Sequence, residues 1–520
     1  MKEKIGILIV VGIIIFSFCL AHIAYADELS ELKEQIKTMC KQIEQQARQM
    51  DAMQKQYQKQ VQALKEKIAE LERITTTDVT EKPQKTQKEI KERLAKVEEK
   101  VDKAKPEWMD KIRIKGSLWT YYISQDNSYF GKTSSHFLET TARIGVEAKL
   151  TDNISADIQL LGENAIGDAT DYTGVTTDDW NVEPELANIT YGNILDEPLS
   201  VTLGRQNLEY GDGFLIYDGY SDKRAVWTMS MRSFYAIKGV YKLDSLQLDA
   251  FAAMVDQDYK SYETFLTDAT TRTGRRNLYG GNLHFEKEKY GIWDFGVFYK
   301  EDKSALDSDT LVLSQRGSYT FDLWPQSHIL PQLILEGEIV EEFGRTKVQN
   351  YALTTSRHDR RSFGGHIDST LCFTKLNWSP YVRASYIHLP GDDPDTSNNE
   401  AFDPMFYGFK DWGKWLIGSI NSYNLFNSNQ RTVMAEVGLH PTEATMVRGF
   451  YFYTRLDRQI MDDAGKNWSH EFNIIFDWYP NKWFFCGAEF GYAHPLNAAR
   501  AYAGDDQDTT EFVLWVGVEF

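Results

Sequence analysis

Charged side chains recur at alternate positions of many apolar segments, where their spacing allows them to bind solutes or one another. The basic members of this set are Arg143, Arg205, Lys238, Arg316, Arg383 and Arg448. The acidic members are Glu147, Asp157, Glu336, Glu338 and Glu489. Arginine stays charged and presents a planar fork that fits carboxylates and phosphates, so a ladder of these residues could pass an anionic solute or polymer. In the alternative interpretation, the acidic and basic residues pair with one another and brace the strands that carry them.

Catalytic and metal-binding patterns are weaker. His366 and Asp368 share one face of a predicted strand and Ser362 is near, which are residue types that hydrolases use. A histidine two residues from an aspartate on a polar face is more often plain polar lining, so we predict no enzyme activity and no catalytic residue. No Cys/His spacing indicates zinc and no glycine-rich loop indicates a nucleotide, so we expect no metal and no cofactor. A calcium loop would use Asp392, Asp393 and Asp395.

The segments that carry these side chains are predicted to be strands of a membrane β-barrel. From Leu138 to Leu150, aliphatic residues alternate with Glu139, Arg143 and other polar residues. Period-two alternation indicates a strand with two unlike faces. An arginine or lysine on a lipid-facing position costs about 2–4 kcal/mol at the bilayer midplane, so the charged set should face a water-filled lumen. Similar segments recur through residues 111–520, which predicts an all-β transmembrane barrel of about 18 antiparallel strands.

The links between these segments alternate in length. Short links at 151–153, 242–245 and 480–482 are predicted to be periplasmic, and long ones near 164–183, 256–275, 389–430 and 456–468 extracellular. A barrel of 16 to 18 strands leaves an aqueous channel.

The final segment, residues 511–520, predicts a closing strand. Phe512, Leu514, Val516, Val518 and Phe520 make one apolar face. We expect this face to contact outer-membrane lipid and the strand to pair with the first strand, which removes an exposed sheet edge. The aromatic end at Phe520 predicts recognition by the barrel assembly machinery.

The N-terminal region has three predicted parts. Residues 1–26 resemble a signal peptide, with Lys2 and Lys4, an apolar run and Ala24-Tyr25-Ala26. Residues 27–74 carry apolar a and d positions typical of a periplasmic α-helical coiled coil. Residues 75–110 form a linker with a short second helix. The narrow seam predicts a homo-oligomer, a trimer by preference, although a lone helix is the alternative. Contact with peptidoglycan is a further possibility.

The overall charge of the chain disfavours nucleic acid as a partner. The chain has 57 basic and 76 acidic residues and a net charge of −19. Binding to nucleic acid is therefore disfavoured.

The most specific motif is Leu203-Gly204-Arg205-Gln206, followed by Leu208 and Tyr210-Gly211-Asp212, with the flanking strand 185–191. Together these segments resemble the alginate-export porin family. The resemblance implies an 18-stranded outer-membrane barrel whose pore passes polysaccharide and is often lined with basic side chains.

The predicted function is an outer-membrane channel, a porin for passive diffusion or export of small hydrophilic solutes or polysaccharide, with anionic cargo as one option. The alternatives are a trimeric substrate-specific porin and a structural tether that reaches the cell wall through the coiled coil.

Overall fold

The computed structural model describes residues 111–128, 130–167, 181–217, 233–255, 276–303, 308–323, 331–349, 355–406, 428–461 and 463–520. All of them belong to the second of two compact units, which begins at Lys111. The predicted signal peptide, coiled coil and linker of residues 1–110 lie outside the described residues.

Eighteen antiparallel strands form one closed sheet in the order of the sequence, and β1 also pairs with β18. The prediction of an antiparallel barrel of about 18 strands is confirmed. The strands are β1 (Ile112–Ser128), β2 (Thr133–Lys149), β3 (Ile154–Gly167), β4 (Asn181–Tyr191), β5 (Leu199–Gln206), β6 (Phe234–Leu243), β7 (Leu246–Val255), β8 (Arg276–Lys287), β9 (Gly291–Asp302), β10 (Ser308–Asp322), β11 (Pro331–Gln349), β12 (Thr355–Phe373), β13 (Tyr381–Leu389), β14 (Gln430–Thr442), β15 (Thr445–Leu456), β16 (Asn467–Trp478), β17 (Phe484–Pro495) and β18 (Thr509–Glu519). A short helix, α1 (Asn497–Ala503), precedes β18.

The two faces of the wall follow the alternation in the sequence. In β2, Leu138 and Ile144 are exposed, whereas Glu139 and Arg143 between them are buried. Since neighbouring residues of a strand point to opposite sides, the exposed aliphatic face is the outer, lipid-facing one and the charged face looks into the lumen. Among the described residues, no helix has the length and apolar character needed to span a bilayer.

The seam between β1 and β18 closes the ring. Tyr121 lies opposite Trp515, and Gln125 lies opposite Glu511. The Gln125 side-chain amide donates a 2.7 Å hydrogen bond to Glu511. In β18, alternate residues are exposed, namely Phe512, Leu514, Val516 and Val518, whereas Glu511, Val513 and Trp515 are buried. This strand therefore presents the two faces that its sequence predicts.

The links at one end of the barrel are mostly short. They include residues 150–153, 244–245 and 443–444, whereas the opposite end carries the long links after β5, β7 and β13. Outer-membrane barrels have short periplasmic turns and longer extracellular loops, so we take the end with the long links as extracellular.

Candidate functional site in the barrel lumen

Two extracellular links turn back into the lumen. The first inserted segment comprises residues 207–217, after β5, and the second comprises residues 390–406, after β13. They meet at Ile216 and Phe406, which form a parallel bridge. The Tyr217 amide donates to the Phe406 carbonyl at 2.9 Å, and the Phe406 amide donates to the Leu215 carbonyl at 2.8 Å. The two segments are thus joined by backbone hydrogen bonds inside the barrel.

An apolar patch on the inner wall holds both segments in place. Tyr210 stacks on Phe251 with ring centroids 5.3 Å apart, and Phe234 meets Phe406 edge to face at 5.5 Å. This buried cluster also includes wall residues such as Leu278, Phe298, Val312, Val340, Ile387, Leu389, Met434, Phe450 and Phe452. Burial of apolar surface in the lumen favours the inserted arrangement of both segments, which narrows the channel at this level.

The tip of the first inserted segment is Asp212, which lies between two glycines. Gly211 and Gly213 have φ angles of 64° and 84°, in the left-handed region that favours glycine. A Cβ atom on Gly213 would lie 2.8 Å from the ring of Tyr217, so a larger residue does not fit there. This tight turn brings one Asp212 carboxylate oxygen to 3.0 Å from Nε2 of His366.

Arg316 lies beside Asp212 and connects several acidic groups. Its Nε atom is 3.9 Å from Asp212, its Nη1 atom is 3.2 Å from Asp294, and its Nη2 atom donates to Glu336. The neighbouring Glu338 accepts a 2.5 Å hydrogen bond from the Ser314 hydroxyl.

His366 links this group to a second arginine. Its Nδ1 atom lies 2.6 Å from Asp368, which in turn accepts hydrogen bonds from Ser385 and, at 2.9 Å, from Arg383. Arg383 also approaches Glu436 at 4.0 Å. A continuous polar network therefore runs along the inner wall from β9 to β14.

The second inserted segment is anchored by Asp403. This buried carboxylate accepts hydrogen bonds from Lys300 at 2.5 Å and from Thr310 at 2.9 Å, and Arg360 lies 3.8 Å away. The Asp403 amide donates to Glu342 at 2.9 Å. Burial alone would raise the pKa of Asp403, but Lys300 and Arg360 hold it well below its usual range.

Ten of the eleven predicted pore-lining residues lie on the inner face, and their pairing supports the bracing interpretation. Arg143 contacts Glu185 at 3.1 Å and Lys238 contacts Asp249 at 3.1 Å. Arg316 and Arg383 pair as described above. The remaining inner-face contacts are Arg448 with Asp477 at 2.5 Å and Asp157 with Lys115 at 2.6 Å. By strand register, Glu147, Glu336, Glu338 and Glu489 also face inward.

Arg205 departs from the prediction. It pairs in register with Ala187 and Tyr235, on the same face as the exposed Leu203, so it lies on the outer face of β5. Its guanidinium lies 5.1 Å from the centroid of the Tyr235 ring, a cation–π contact. Arg205 is one residue from the extracellular end of β5, where a charge on the outer face no longer sits at the costly bilayer midplane.

The geometry does not support the hydrolase pattern. Ser362 and His366 are four residues apart on β12, which places them about 13 Å apart along the strand. A nucleophile and its base must be within hydrogen-bond reach. The acidic residues of the calcium pattern instead organise their own loop: Asp393 accepts a hydrogen bond from the Asp395 amide and contacts Arg458 at 2.9 Å.

Two residues of the site, Asp212 and Asp403, are not among the predicted pore-lining residues, although Asp212 belongs to the Tyr210-Gly211-Asp212 motif. Asp212 had a local signal, since an aspartate between two glycines often marks a tight turn. Asp403 had none, because its partners Lys300, Thr310 and Arg360 come from three separate strands. Among the described residues, Asp212, Glu338 and His366 also bring three ligand atoms within 4.8 Å of one another. This grouping differs from the expectation of no metal site, which rested on local sequence spacing.

A family model described as alginate export matches residues 110–469, which span β1 to the start of β16 and both inserted segments. The chain belongs to the alginate-export family. No curated protein sequence matches it.

Three solved bacterial structures show a similar fold. OccK5 (OpdH) of Pseudomonas aeruginosa is 9% identical with a TM-score of 0.51, and the match covers 79% of this chain and 99% of that one. OccAB1 of Acinetobacter baumannii is 10% identical with a TM-score of 0.50, covering 80% and 99%. OccK8 (OprE) of Pseudomonas aeruginosa is 11% identical with a TM-score of 0.50, covering 79% and 99%. At these identities the similarity concerns the fold. Fold and family together fit an outer-membrane channel and give no support to an enzyme.

Proposed function

We propose that this alginate-export family member is a passive channel for small hydrophilic solutes. The main supporting observation is the pair of inserted segments. They narrow an 18-stranded barrel at one level, where the wall beside them carries charged side chains such as Arg316 and Arg360. A constriction lined by polar groups favours hydrated small solutes over bulk flow.

The charges at the constriction favour weak selectivity for cations. Arg316 and Arg383 both contact carboxylates, so little positive charge is left to form an anion ladder. Five carboxylates, Asp212, Asp294, Glu336, Asp368 and Glu436, surround these two arginines. Anionic cargo is the alternative outcome, in which the same arginines exchange their carboxylate partners for the solute.

Single-channel recording in planar bilayers tests both points. We expect discrete conductance steps and a reversal potential under a salt gradient that indicates slight cation preference. Arg383→Ala should increase that preference, whereas Arg345→Ala, which removes the same charge from the outer face of β11, should not. A silent protein would contradict the channel. Anion selectivity that disappears in Arg383→Ala would instead support the arginine ladder.

Polysaccharide export is a second candidate, and the family match favours it. Short anionic oligosaccharides added to one side of the bilayer should then block the current in a concentration-dependent way. An unchanged current at millimolar oligosaccharide would leave small solutes as the cargo.

The N-terminal hypotheses concern residues 27–74. A trimeric substrate-specific porin requires these residues to self-associate, and a structural tether requires them to reach peptidoglycan. Mass measurement in mild detergent distinguishes the first from a monomer. Pull-down with purified peptidoglycan, using the full chain and a chain without residues 27–110, tests the second.

A further inference from the structure

We propose that Asp212, Glu338 and His366 form a zinc-binding site that joins the first inserted segment to the barrel wall. The three residues come from the link after β5, from β11 and from β12, so a bound ion would cross-link a loop to two strands. All three are buried, and their ligand atoms lie within 4.8 Å of one another.

The donor atoms suit zinc in type and spacing. Imidazole nitrogen and carboxylate oxygen bind Zn²⁺ at about 2.0–2.2 Å, which separates the ligands of a tetrahedral site by about 3.4 Å. The Asp212 oxygen and the His366 Nε2 atom are already 3.0 Å apart. Closing the site therefore requires Asp212 and His366 to separate by about 0.4 Å and Glu338 to move slightly toward them, with water as the fourth ligand.

Glu338 supplies an oxygen that points toward the loop tip. The side chain is 3% exposed, and its Oε1 atom accepts the hydrogen bond from Ser314. Its Oε2 atom is buried and has no hydrogen-bond donor. A Cβ atom on Gly211 would lie 3.1 Å from this oxygen, so the glycine leaves the space between loop and wall open. A buried carboxylate oxygen without a donor is costly, and a bound cation removes that cost.

Asp368 orients His366 as a metal ligand. The 2.6 Å contact between Nδ1 and Asp368 places the ring proton on Nδ1, which leaves the lone pair of Nε2 facing Asp212. Metal-binding histidines commonly have such a carboxylate behind them. Because a lone pair and a carboxylate oxygen repel each other at 3.0 Å, a positive charge must sit between them, either a metal ion or a proton on His366.

The local charge balance favours a divalent ion. The network contains two arginines, Arg316 and Arg383, and six carboxylates: Asp212, Asp294, Glu336, Glu338, Asp368 and Glu436. The guanidinium of Arg316 directs its two terminal nitrogens to Asp294 and Glu336, and its Nε atom lies 3.9 Å from Asp212, beyond hydrogen-bond distance. Zinc would reduce the excess of four negative charges to two, whereas a proton on His366 would reduce it only to three.

Metal content of the full chain tests the site directly. Protein purified in detergent is stripped with chelator, dialysed against zinc chloride and then against buffer, and its zinc is measured by mass spectrometry. We expect one tightly held zinc per chain. Asp212→Asn, Glu338→Gln and His366→Gln should each weaken zinc binding at least tenfold.

Asp249→Asn is the matched control. It removes a buried lumenal carboxylate that pairs with Lys238 outside the site, and it should bind zinc as the unmodified chain does. The heat-dependent shift in gel mobility shows which variants have folded barrels. Absence of bound zinc, or equal binding by the three ligand variants, would refute the site.

Cobalt spectroscopy identifies the ligand independently of affinity. His366→Cys should give a thiolate-to-cobalt charge-transfer band that the unmodified protein lacks. Without that band in a folded His366→Cys variant, the histidine position would not be a ligand. Neither measurement depends on conductance, so this proposal and the channel proposal can fail separately.

Discussion

Asp403→Asn is the sharpest test of how the second inserted segment is held. The substitution removes one negative charge from a buried group in which Lys300 donates a 2.5 Å hydrogen bond and Arg360 lies 3.8 Å away. Lys300 is only 8% exposed, so its ammonium group would lose its carboxylate partner without gaining full contact with water. Breaking such a buried ion pair from one side costs about 3–5 kcal/mol.

The cost should appear as release of the segment and not as loss of the barrel, because the strands do not depend on Asp403 for their ladder hydrogen bonds. Since each 1.4 kcal/mol is tenfold, the ratio of released to inserted segment should rise by roughly two to three and a half orders of magnitude. In single-channel recordings this predicts frequent transitions to a state of higher conductance. The heat-dependent gel shift of the barrel should be unchanged.

A second substitution separates charge from packing. Lys300→Met in the Asp403→Asn background removes the ammonium group that has lost its carboxylate partner. The second segment should therefore spend more time inserted than in Asp403→Asn alone. Asp403 does not hold the segment in place if the Asp403→Asn channel shows the same current noise as the unmodified channel. Loss of the Lys300 ion pair is not the cause of the defect if Lys300→Met makes the Asp403→Asn channel open more often.

Three further predictions use other parts of the lumen. Gly213→Ala should strain the left-handed turn by about 1–3 kcal/mol and crowd Tyr217, so we expect faster proteolysis of the first inserted segment, with the barrel intact. Arg383→Ala leaves Asp368 without its 2.9 Å partner and should lower the melting temperature by several degrees in a thermal scan. Burial alone would raise the pKa of the extracellular Asp457, but hydrogen bonds and positive charge from its neighbours hold this pKa well below its usual range. The stability that Asp457 contributes should therefore be complete above its pKa in the unfolded chain. It should be lost as the pH falls through its lower pKa in the folded protein. Asp457→Asn should flatten the acid limb of a stability profile.

The wall could be predicted from sequence because lipid imposes period-two alternation wherever a strand crosses it. Period-two alternation predicts strands at 363–373 and 332–340, but β12 already begins at Thr355 and β11 continues to Gln349. These extensions project beyond the bilayer, where both faces meet water or loops. Charges such as Asp359 and Arg360 then occupy both faces, so the alternation disappears from the sequence.

The lumenal site could be predicted only in part. The inward direction of Arg316 and Glu338 follows from strand parity, but their contact with Asp212 depends on a loop that folds back over the wall. The inward apolar residues that hold this loop, such as Phe298 and Phe452, contradict a simple rule of polar lumen and apolar exterior. Their presence on the polar face is the sequence signal that something inside the barrel must cover them.

The bridge between Ile216 and Phe406 has a consequence for the order in which the protein is built. The hairpins of the wall pair neighbours in sequence, whereas this bridge joins links that leave β5 and β13, eight positions apart in the ring. Contacts that close long loops form late, because the chain entropy must first be lost. A newly inserted barrel should therefore pass through a wide, leaky stage before the two segments meet. The bacterium would then be most exposed to toxic solutes during biogenesis, and mutations that delay the bridge should sensitise growing cells more than resting ones.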